Sequence, residues 1–288
     1  MSRAEQDPQC SADFRLSITK ALGDQLSSAL QDLVPAPLVG EALDGLKVEA
    51  GVYQLYRDGS LVYIGKADKS LPDRLRQHMR KISGRQGISA AEMAFTCLYV
   101  AEDFTAVAPE TLLIKRYQGD GQAPWNNNGF GNKDPGRNRD TTVVEANHFD
   151  AYFPINLGVE VELHPGHQPA SRLLDSLKRE LPYLLRYDKV LKAKSGIATT
   201  EVTVPSGKAT ARELFALVIG TLPAGWQLTA LPGYAILYKE SKPDAYGSAL
   251  TWWRRDEDGE VVETLGRHLV ETDSGTTPLE TGEDEEGW

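Results

Sequence analysis

At 288 residues, with 41% hydrophobic and 25% charged side chains, the chain has the composition of a globular protein with room for one or two domains. Its longest apolar runs fall short of the roughly 20 residues of a membrane helix, and the N-terminal segment "MSRAEQDPQCSADFR" lacks the apolar centre of a secretion signal. The two cysteines, Cys10 and Cys97, are too few for a cysteine-based zinc site. These features favour a cytoplasmic protein with no membrane partner.

The net charge of −10 is unevenly distributed along the chain. Residues 256–288 hold 12 acidic residues and one arginine, whereas residues 51–139 hold 13 basic residues against 9 acidic ones. We therefore expect an acidic, disordered tail over residues 256–288. The remainder of the chain has a charge that permits a polyanionic partner.

The first predicted elements are a helix, a hairpin and a second helix. Leucines at helical spacing predict an amphipathic helix over residues 14–33. Two β-rich runs, 50–56 and 61–65, flank Asp58-Gly59, which is a strong signal for a tight hairpin turn. The segment "LPDRLRQHMRKI", residues 71–82, predicts a helix with Pro72 in its first turn.

Further along, we expect a strand over residues 93–100, a helix over 104–118 and a loop over 124–140 that is rich in Asn, Gly and Pro. After a break at 164–170, a second α+β unit follows, with a helix that Pro182 ends or kinks, a strand at 198–204, a helix at 209–222 and two strands near 226–239. The predicted fold class is α+β. Its parts are an N-terminal helical arm (1–48), a core (49–140), a C-terminal α+β extension (141–255) and the acidic tail (256–288).

Six side chains between residues 51 and 126 form a set suited to cutting a phosphodiester; they are Tyr53, Tyr63, Arg74, His78, Glu110 and Asn126. A carboxylate can hold Mg²⁺, and an arginine can neutralise charge on phosphoryl oxygens. A tyrosinate or an imidazole can take a proton from water.

Two of these side chains share a helix. Arg74 and His78 are four residues apart and therefore lie on one face of the predicted helix. The other basic residues of that helix, Arg76, Arg80 and Lys81, are expected on its solvated face.

The order of these residues resembles that of the GIY-YIG nuclease superfamily. Gly51-Val52-Tyr53 matches the first phrase, with Val in place of Ile, and Tyr63-Ile64-Gly65 matches the second. Arg74, Glu110 and Asn126 match the later motif positions, and the resemblance covers residues 45–140. It implies a small mixed β-sheet flanked by helices and one divalent metal, Mg²⁺ or Mn²⁺, held by Glu110.

Two details resemble the type II restriction endonucleases of this superfamily. One is His78, four residues after Arg74, and the other is the segment "PWNNNGFGNKDPGRNRD". The resemblance implies sequence-specific hydrolysis of double-stranded DNA. Two alternatives remain open: a structure-specific repair or recombination nuclease, and a catalytically idle module that binds DNA or a partner protein. Because one active site cuts one strand at a time, a homodimer is expected, at least on DNA.

The resemblance also suggests individual roles. Tyr53 or His78 would take the proton from water, Tyr63 would position the phosphate, and Lys66 could bind the phosphate or help to activate the base. DNA contacts are expected from three basic residues of the loop, Lys133, Arg137 and Arg139, since arginine pairs well with guanine in the major groove.

Overall fold

The structure is a computed structural model that describes residues 18–100, 113–114, 117, 123–131, 136–193 and 196–279. Within these residues the protein is a mixed α+β chain with several small sheets. The helices are α1 Ile18–Gln31, α2 Gly40–Asp44, α3 Leu71–Ser83, α4 Phe149–Tyr152, α5 Ala170–Glu180 and α6 Ala211–Thr221. The strands up to the extension are β1 Ala36–Pro37, β2 Gly51–Arg57, β3 Ser60–Ala67, β4 Met93–Tyr99 and β5 Val144–Glu145. Those that follow are β6 Glu160–Glu162, β7 Gly166–Pro169, β8 Leu185–Tyr187, β9 Glu201–Val204, β10 Lys208–Thr210, β11 Trp226–Ala230, β12 Ala235–Lys239, β13 Thr251–Arg255, β14 Val261–Leu265, β15 Leu269–Thr272 and β16 Gly275–Pro278.

The core sheet has four strands in the order β1-β4-β2-β3. The predicted hairpin is confirmed: Asp58 and Gly59 have φ angles of 48° and 79°, the left-handed values that a tight two-residue turn needs. Within the described residues, all three pairings in this sheet are antiparallel, whereas a mixed sheet was expected. A two-residue turn can only join antiparallel strands, which explains the hairpin pairing.

Helix α3 packs against this sheet as its sequence predicts. Ser70 caps its N-terminus by accepting a hydrogen bond from the Asp73 N–H, and Pro72 occupies the first turn. Leu71, Leu75 and His78 are buried on one face, and this apolar stripe fixes the rotation of the helix. That rotation aims Arg74 and His78 at the two tyrosine-bearing strands.

The C-terminal extension is built on a five-stranded sheet of order β14-β13-β11-β12-β8. Its β12–β8 pairing is parallel and the other three are antiparallel, so this sheet is mixed. Helices α5 and α6 cover it through Leu173, Leu177 and Phe215, and Trp253 is only 1% exposed within the same core. The predicted helices of this unit are confirmed, whereas the predicted strand at 198–204 is a short 3₁₀ helix, residues 196–199, followed by β9.

The core and the extension are joined by buried polar contacts. The Arg85 guanidinium is 5% exposed and donates to the carbonyls of Phe153, Pro232 and Gly233. The carboxylate of Asp140 accepts two 2.8 Å hydrogen bonds from Arg186 Nη1. Because both joints bury charged groups with their partners, separating the two units would leave costly unpaired groups.

The predicted disordered tail was wrong for residues 261–278, which form β14, β15 and β16. Strand β14 extends the five-stranded sheet, and β15 pairs with β5 from the start of the extension. The prediction relied on the charge count and gave no weight to the valines and leucines of these strands. One of them, Val270, is buried, with 1% of its surface exposed. Residues 280–288 lie outside the described part of the chain, as does most of the helix expected over 104–118; residues 113, 114 and 117 of that helix are helical.

None of the helices within the described ranges combines the length and apolar character that a bilayer-spanning helix requires.

Candidate active site

The two tyrosines of the hairpin lie side by side on one face of the core sheet. Tyr53 pairs with Gly65 across the strands and Tyr63 pairs with Leu55, so the phenol rings are diagonal neighbours with centroids 6.2 Å apart. Both rings are buried, Tyr53 completely. The hairpin therefore delivers two phenols to one enclosed position.

Gly65 is needed because the Tyr53 ring lies directly over it. A Cβ added at Gly65 would overlap the Tyr53 Cζ and Oη atoms and would press on the Tyr63 ring. Gly65 of the second motif therefore makes room for Tyr53 of the first motif, since only a residue without a side chain leaves this space.

Helix α3 adds Arg74 and His78 to the phenols. The Tyr53 hydroxyl lies 2.6 Å from His78 Nε2, and Arg74 Nε donates a 3.2 Å hydrogen bond to the same hydroxyl. His78 is 3% exposed, whereas Arg74 is half-buried. The result is a series of hydrogen-bonded polar groups that runs from the partly exposed Arg74 through Tyr53 to the buried imidazole of His78.

The surroundings hold His78 neutral and Arg74 charged. Burial, followed by the positive charges of Arg74 and Lys81, holds the pKa of His78 well below its ordinary value. Burial alone would lower the pKa of Arg74, but the neighbouring phenols of Tyr53 and Tyr63 outweigh it and raise that pKa. A neutral imidazole can accept a proton from Tyr53, and the guanidinium can stabilise the resulting phenolate.

An aromatic wall behind His78 was not foreseen from the sequence. The Phe130 ring stacks on the imidazole at 4.8 Å with an interplanar angle of 17°. It also packs edge-on against Tyr63 and near Trp125. Phe130 lies in the segment "NNNGFGN", where its neighbours predict only a loop, so no local pattern marks it as part of the site.

Lys81 lies on the other side of Phe130, and its expected place on a solvated helix face was wrong. Its Nζ donates a 2.6 Å hydrogen bond to the Phe130 carbonyl and lies over the rings of Phe130 and Phe149 at 5.1 and 5.0 Å. Burial lowers the pKa of Lys81 to about 8, with Asp150 opposing the shift. The signal was available in the sequence, because Lys81 follows His78 by three residues and therefore lies on the same helix face.

Asn126 is engaged by the backbone of the tyrosine strand. Its Oδ1 accepts from the Ile64 N–H at 2.9 Å, and its Nδ2 donates to the Ile64 carbonyl at 2.7 Å. The side chain thus pairs with the free edge of β3 as a neighbouring strand would. In this geometry Asn126 holds the peptide groups on both sides of Ile64, between Tyr63 and Gly65.

The expected DNA contacts are dispersed. Lys66 follows the tyrosine phrase on β3 and forms a 2.8 Å ion pair with Asp68. The Arg137 guanidinium lies 4.3 Å from the centroid of the Tyr238 ring, so it packs on the extension. Arg139 is exposed and lines a cleft between the core and the extension. Lys133 lies outside the described residues.

The expected metal ligand, Glu110, also lies outside the described residues. Among the residues that are described, no group of three or more His, Cys, Asp or Glu side chains is placed to hold a metal ion. Among the described residues, a guanidinium, an imidazole and aromatic rings lie beside the two phenols. Glu110 is the carboxylate that the sequence resemblance names as a ligand for a hard cation.

Comparison with known proteins adds no identification: no protein-family model matches the chain, and a search of curated proteins finds no significant match.

Proposed function

We propose that the chain is a divalent-metal-dependent DNA endonuclease of the GIY-YIG type, and specifically a sequence-specific type II restriction enzyme. The observation that carries this proposal is the hydrogen-bonded group of Arg74, Tyr53 and His78. It joins two motif residues and the histidine of the restriction branch at one hydroxyl, although Tyr53 lies on a strand and the other two lie on a helix. Nothing in the packing of a purely structural hairpin requires a tyrosine hydroxyl to be shared by a buried imidazole and a guanidinium.

The proposed mechanism uses the neutral state of His78. With its own proton on Nδ1, His78 accepts the Tyr53 proton at Nε2 while Tyr53 takes a proton from water. The hydroxide attacks phosphorus, the bond to the leaving oxygen breaks, and that oxygen takes a proton from solvent. His78 then releases to solvent the proton that came from the attacking water. Arg74 balances the negative charge first on the phenolate and then on the phosphoryl oxygens. Because His78 is buried, bulk water screens the proton transfer and the charge of Arg74 only weakly, which strengthens both electrostatic interactions.

Glu110 is the residue that would hold the metal, and a bound Mg²⁺ would supply Lewis-acid stabilisation of the phosphate. Glu110→Ala should therefore remove cleavage but leave most DNA affinity, because basic contacts to phosphates supply most of that affinity. Cleavage by Glu110→Ala at a near-normal rate would overturn the metal assignment.

The decisive experiment is incubation of the protein with phage DNA and Mg²⁺. Discrete fragments are the result expected of a restriction enzyme. Preferential cutting of flaps or branched duplexes would instead identify a repair or recombination nuclease. DNA binding without any cleavage, in the presence of Mg²⁺ or Mn²⁺, would identify an idle module and would overturn the proposal.

The proposed activity has consequences for assembly and location. Double-strand cleavage by a chain with one Tyr53–His78 group is most simply achieved by a homodimer on two-fold symmetric DNA. Analytical ultracentrifugation with a cognate duplex tests this, and one chain per duplex making double-strand breaks without nicked intermediates would refute it. A restriction enzyme would act in the cytoplasm, where incoming DNA is exposed to it.

A further inference from the structure

A cleft of about 850 Å³ lies between helix α3 and the C-terminal extension. Its walls are the C-terminal part of α3, the end of α5, the segment 139–145 and the turn 231–234. Its volume is within the range of roughly 300–1,000 Å³ that is usual for ligand sites. The first wall belongs to the same helix that carries Arg74 and His78.

The charged side chains on the floor of the cleft are paired with one another or with backbone groups, and these pairs join the core to the extension. Arg85 forms a 2.9 Å ion pair with Asp150 in addition to its carbonyl contacts. Asp140 is held by Arg186 and accepts a 2.8 Å hydrogen bond from Tyr234. The paired charges on the floor therefore largely cancel.

The rim of the cleft is different, because its cations are exposed. Arg80 lies on α3, Arg139 on the loop, and Lys178 and Arg179 at the end of α5. Arg179 has a carboxylate partner in its neighbour Glu180 at 2.8 Å. The other three form no ion pair with a carboxylate of the described residues.

Contacts within the rim hold two of these cations together. Arg80 Nη2 donates to the backbone carbonyls of Arg179 and Leu181. The guanidinium is thereby held against the last turn of α5, beside Lys178 and Arg179. A cluster of like charges fixed by hydrogen bonds to backbone is an unfavourable arrangement for an isolated protein, and an anion in the cleft would relieve the repulsion.

The opposite wall of the cleft carries hydrogen-bond acceptors. Glu145 and Glu271 are register partners on the parallel strands β5 and β15, and both are exposed into the cleft. A polyanion would therefore lie against the α3–α5 wall. Carboxylates on the far wall are suited to accept from amino groups such as cytosine N4, which lie on the inner side of a nucleic-acid backbone.

The cleft is also at a suitable distance from the candidate active site. Arg80 follows Arg74 by six residues on one helix, which corresponds to roughly 9 Å along the helix axis. A DNA strand advances about 3.4 Å per nucleotide along the duplex axis, so the rim lies roughly three nucleotides from Arg74.

We propose that the cleft between α3 and the C-terminal extension binds the sugar–phosphate backbone of duplex DNA beside the scissile bond, through Arg80, Arg139, Lys178 and Arg179. This inference rests on the proposed function for its choice of polyanion and gives the extension a role in that function. It assigns three DNA contacts, at Arg80, Lys178 and Arg179, that lie outside the recognised motifs.

The test is DNA binding without cleavage, measured by fluorescence anisotropy in EDTA over a series of salt concentrations. The cleft variant is Arg139→Ala/Lys178→Ala/Arg179→Ala, which spares Arg80 and its carbonyl contacts. The matched control is Lys208→Ala/Lys239→Ala/Lys242→Ala, which removes three exposed cations that do not line the cleft. Thermal melting of both variants verifies that they are folded.

In the cleft variant, the salt-dependence slope should fall by about 2.7 and the Kd for duplex DNA at about 0.1 M salt should rise roughly 100-fold or more. The control should lose less than one unit of slope. Equal losses in both variants, or wild-type affinity in the cleft variant, would overturn the cleft as the DNA site. A loss seen only with single-stranded DNA would overturn its assignment to the duplex.

The failure of the proposed function has a different signature. Wild-type protein that binds duplex through the cleft but leaves it intact with Mg²⁺ would support the cleft and refute the nuclease.

Discussion

The hydroxyl of Tyr53 and the imidazole of His78 form a 2.6 Å hydrogen bond although they lie 25 residues apart, on a strand and on a helix. The phenol occupies the space left by Gly65, and the imidazole is stacked on Phe130. These contacts pack both side chains on the sides that face away from their hydrogen bond. The two side chains therefore constitute one unit, and their functional effects should be coupled.

A double-mutant cycle tests this coupling. Tyr53→Phe and His78→Ala should each lower the cleavage rate by roughly 10²–10⁴-fold, the usual contribution of general acid–base groups. The double variant should be little worse than either single variant, because both remove the same proton transfer. Ser83→Ala, at the exposed end of the same helix, serves as the control. Fully additive losses in single-turnover assays would contradict a shared role.

The acid limb of the pH–rate profile for cleavage should reflect protonation of the His78 imidazole. Only the neutral imidazole accepts a proton, and burial together with Arg74 and Lys81 holds its pKa well below 6.5. Cleavage should therefore persist below pH 6.5 and decline only at more acidic values. Lys81→Met removes one of the charges that lower this pKa and should shift the acid limb upward. An acid limb that stays in place in Lys81→Met would show that another group controls it.

Asn126→Asp should impair the site through the backbone of β3. The substitution keeps the shape and the acceptor for the Ile64 N–H but replaces the donor to the Ile64 carbonyl with a second acceptor. A buried carbonyl facing a carboxylate should cost about 1–3 kcal/mol of unfolding free energy, which urea titration can measure. Asn147→Asp, at an exposed asparagine, is the comparison. Wild-type stability with lost cleavage would mean that the Asn126 amide acts directly on the substrate.

The local part of this site is predictable from sequence, and the part made by long-range packing is not. Asp58-Gly59, Ser70 and Pro72 determine the hairpin and the start of α3, and helical spacing then places Arg74 with His78. Phe130 reaches the imidazole from a loop of 3₁₀ and turn conformation, where no periodicity indicates which side chains are buried. The joint at Arg85 depends on carbonyls nearly 150 residues away in sequence.

The C-terminal strands illustrate a different cause of error. Acidic residues dominate the composition after residue 256, and composition correctly describes an average over a segment. The pairing of β15 with β5 depends on a few positions, above all the buried Val270. An average over charges cannot detect such a strand when its partner is more than 100 residues away.

Lys81 should make the protein more stable as the pH rises. Its pKa in the folded protein is about 8, below the ordinary value of 10.5, so between these values the unfolded chain binds more protons than the folded one. The contribution of Lys81 to the unfolding free energy should therefore rise from pH 8 to pH 10.5, by up to about 3 kcal/mol. Lys81→Met abolishes that rise, so the stability of the variant relative to the wild type should be greatest below pH 8.

Urea denaturation of the wild type and Lys81→Met at both ends of this range isolates the Lys81 contribution, because all other groups titrate in both proteins. Lys208→Met, which removes an exposed lysine, controls for the loss of a positive charge. A constant difference between wild type and Lys81→Met across the range would contradict the burial of the Lys81 amine.

Removal of β15 and β16 should destabilise the protein despite their acidic surroundings. A chain ending at Arg267 loses the buried Val270, worth about 1.5–3 kcal/mol, and the hydrogen bonds that hold this strand to the rest of the extension. These include the Leu269 N–H to the Gly247 carbonyl and the Ala146 N–H to the Glu271 carbonyl. Each such bond adds roughly 0.5–1.5 kcal/mol.

The matched control is a chain ending at Leu279, which removes only an acidic segment with few apolar residues. The chain that ends at Arg267 should melt several degrees lower than this control, since each kcal/mol corresponds to roughly 2–4 °C in a domain of this size. Loss of β15 also frees β5, which follows the loop that carries Arg139 and contributes Glu145 to the cleft. DNA affinity should therefore fall together with the melting temperature in the shorter chain. Equal melting temperatures in the two truncated chains would show that β15 contributes nothing to the fold.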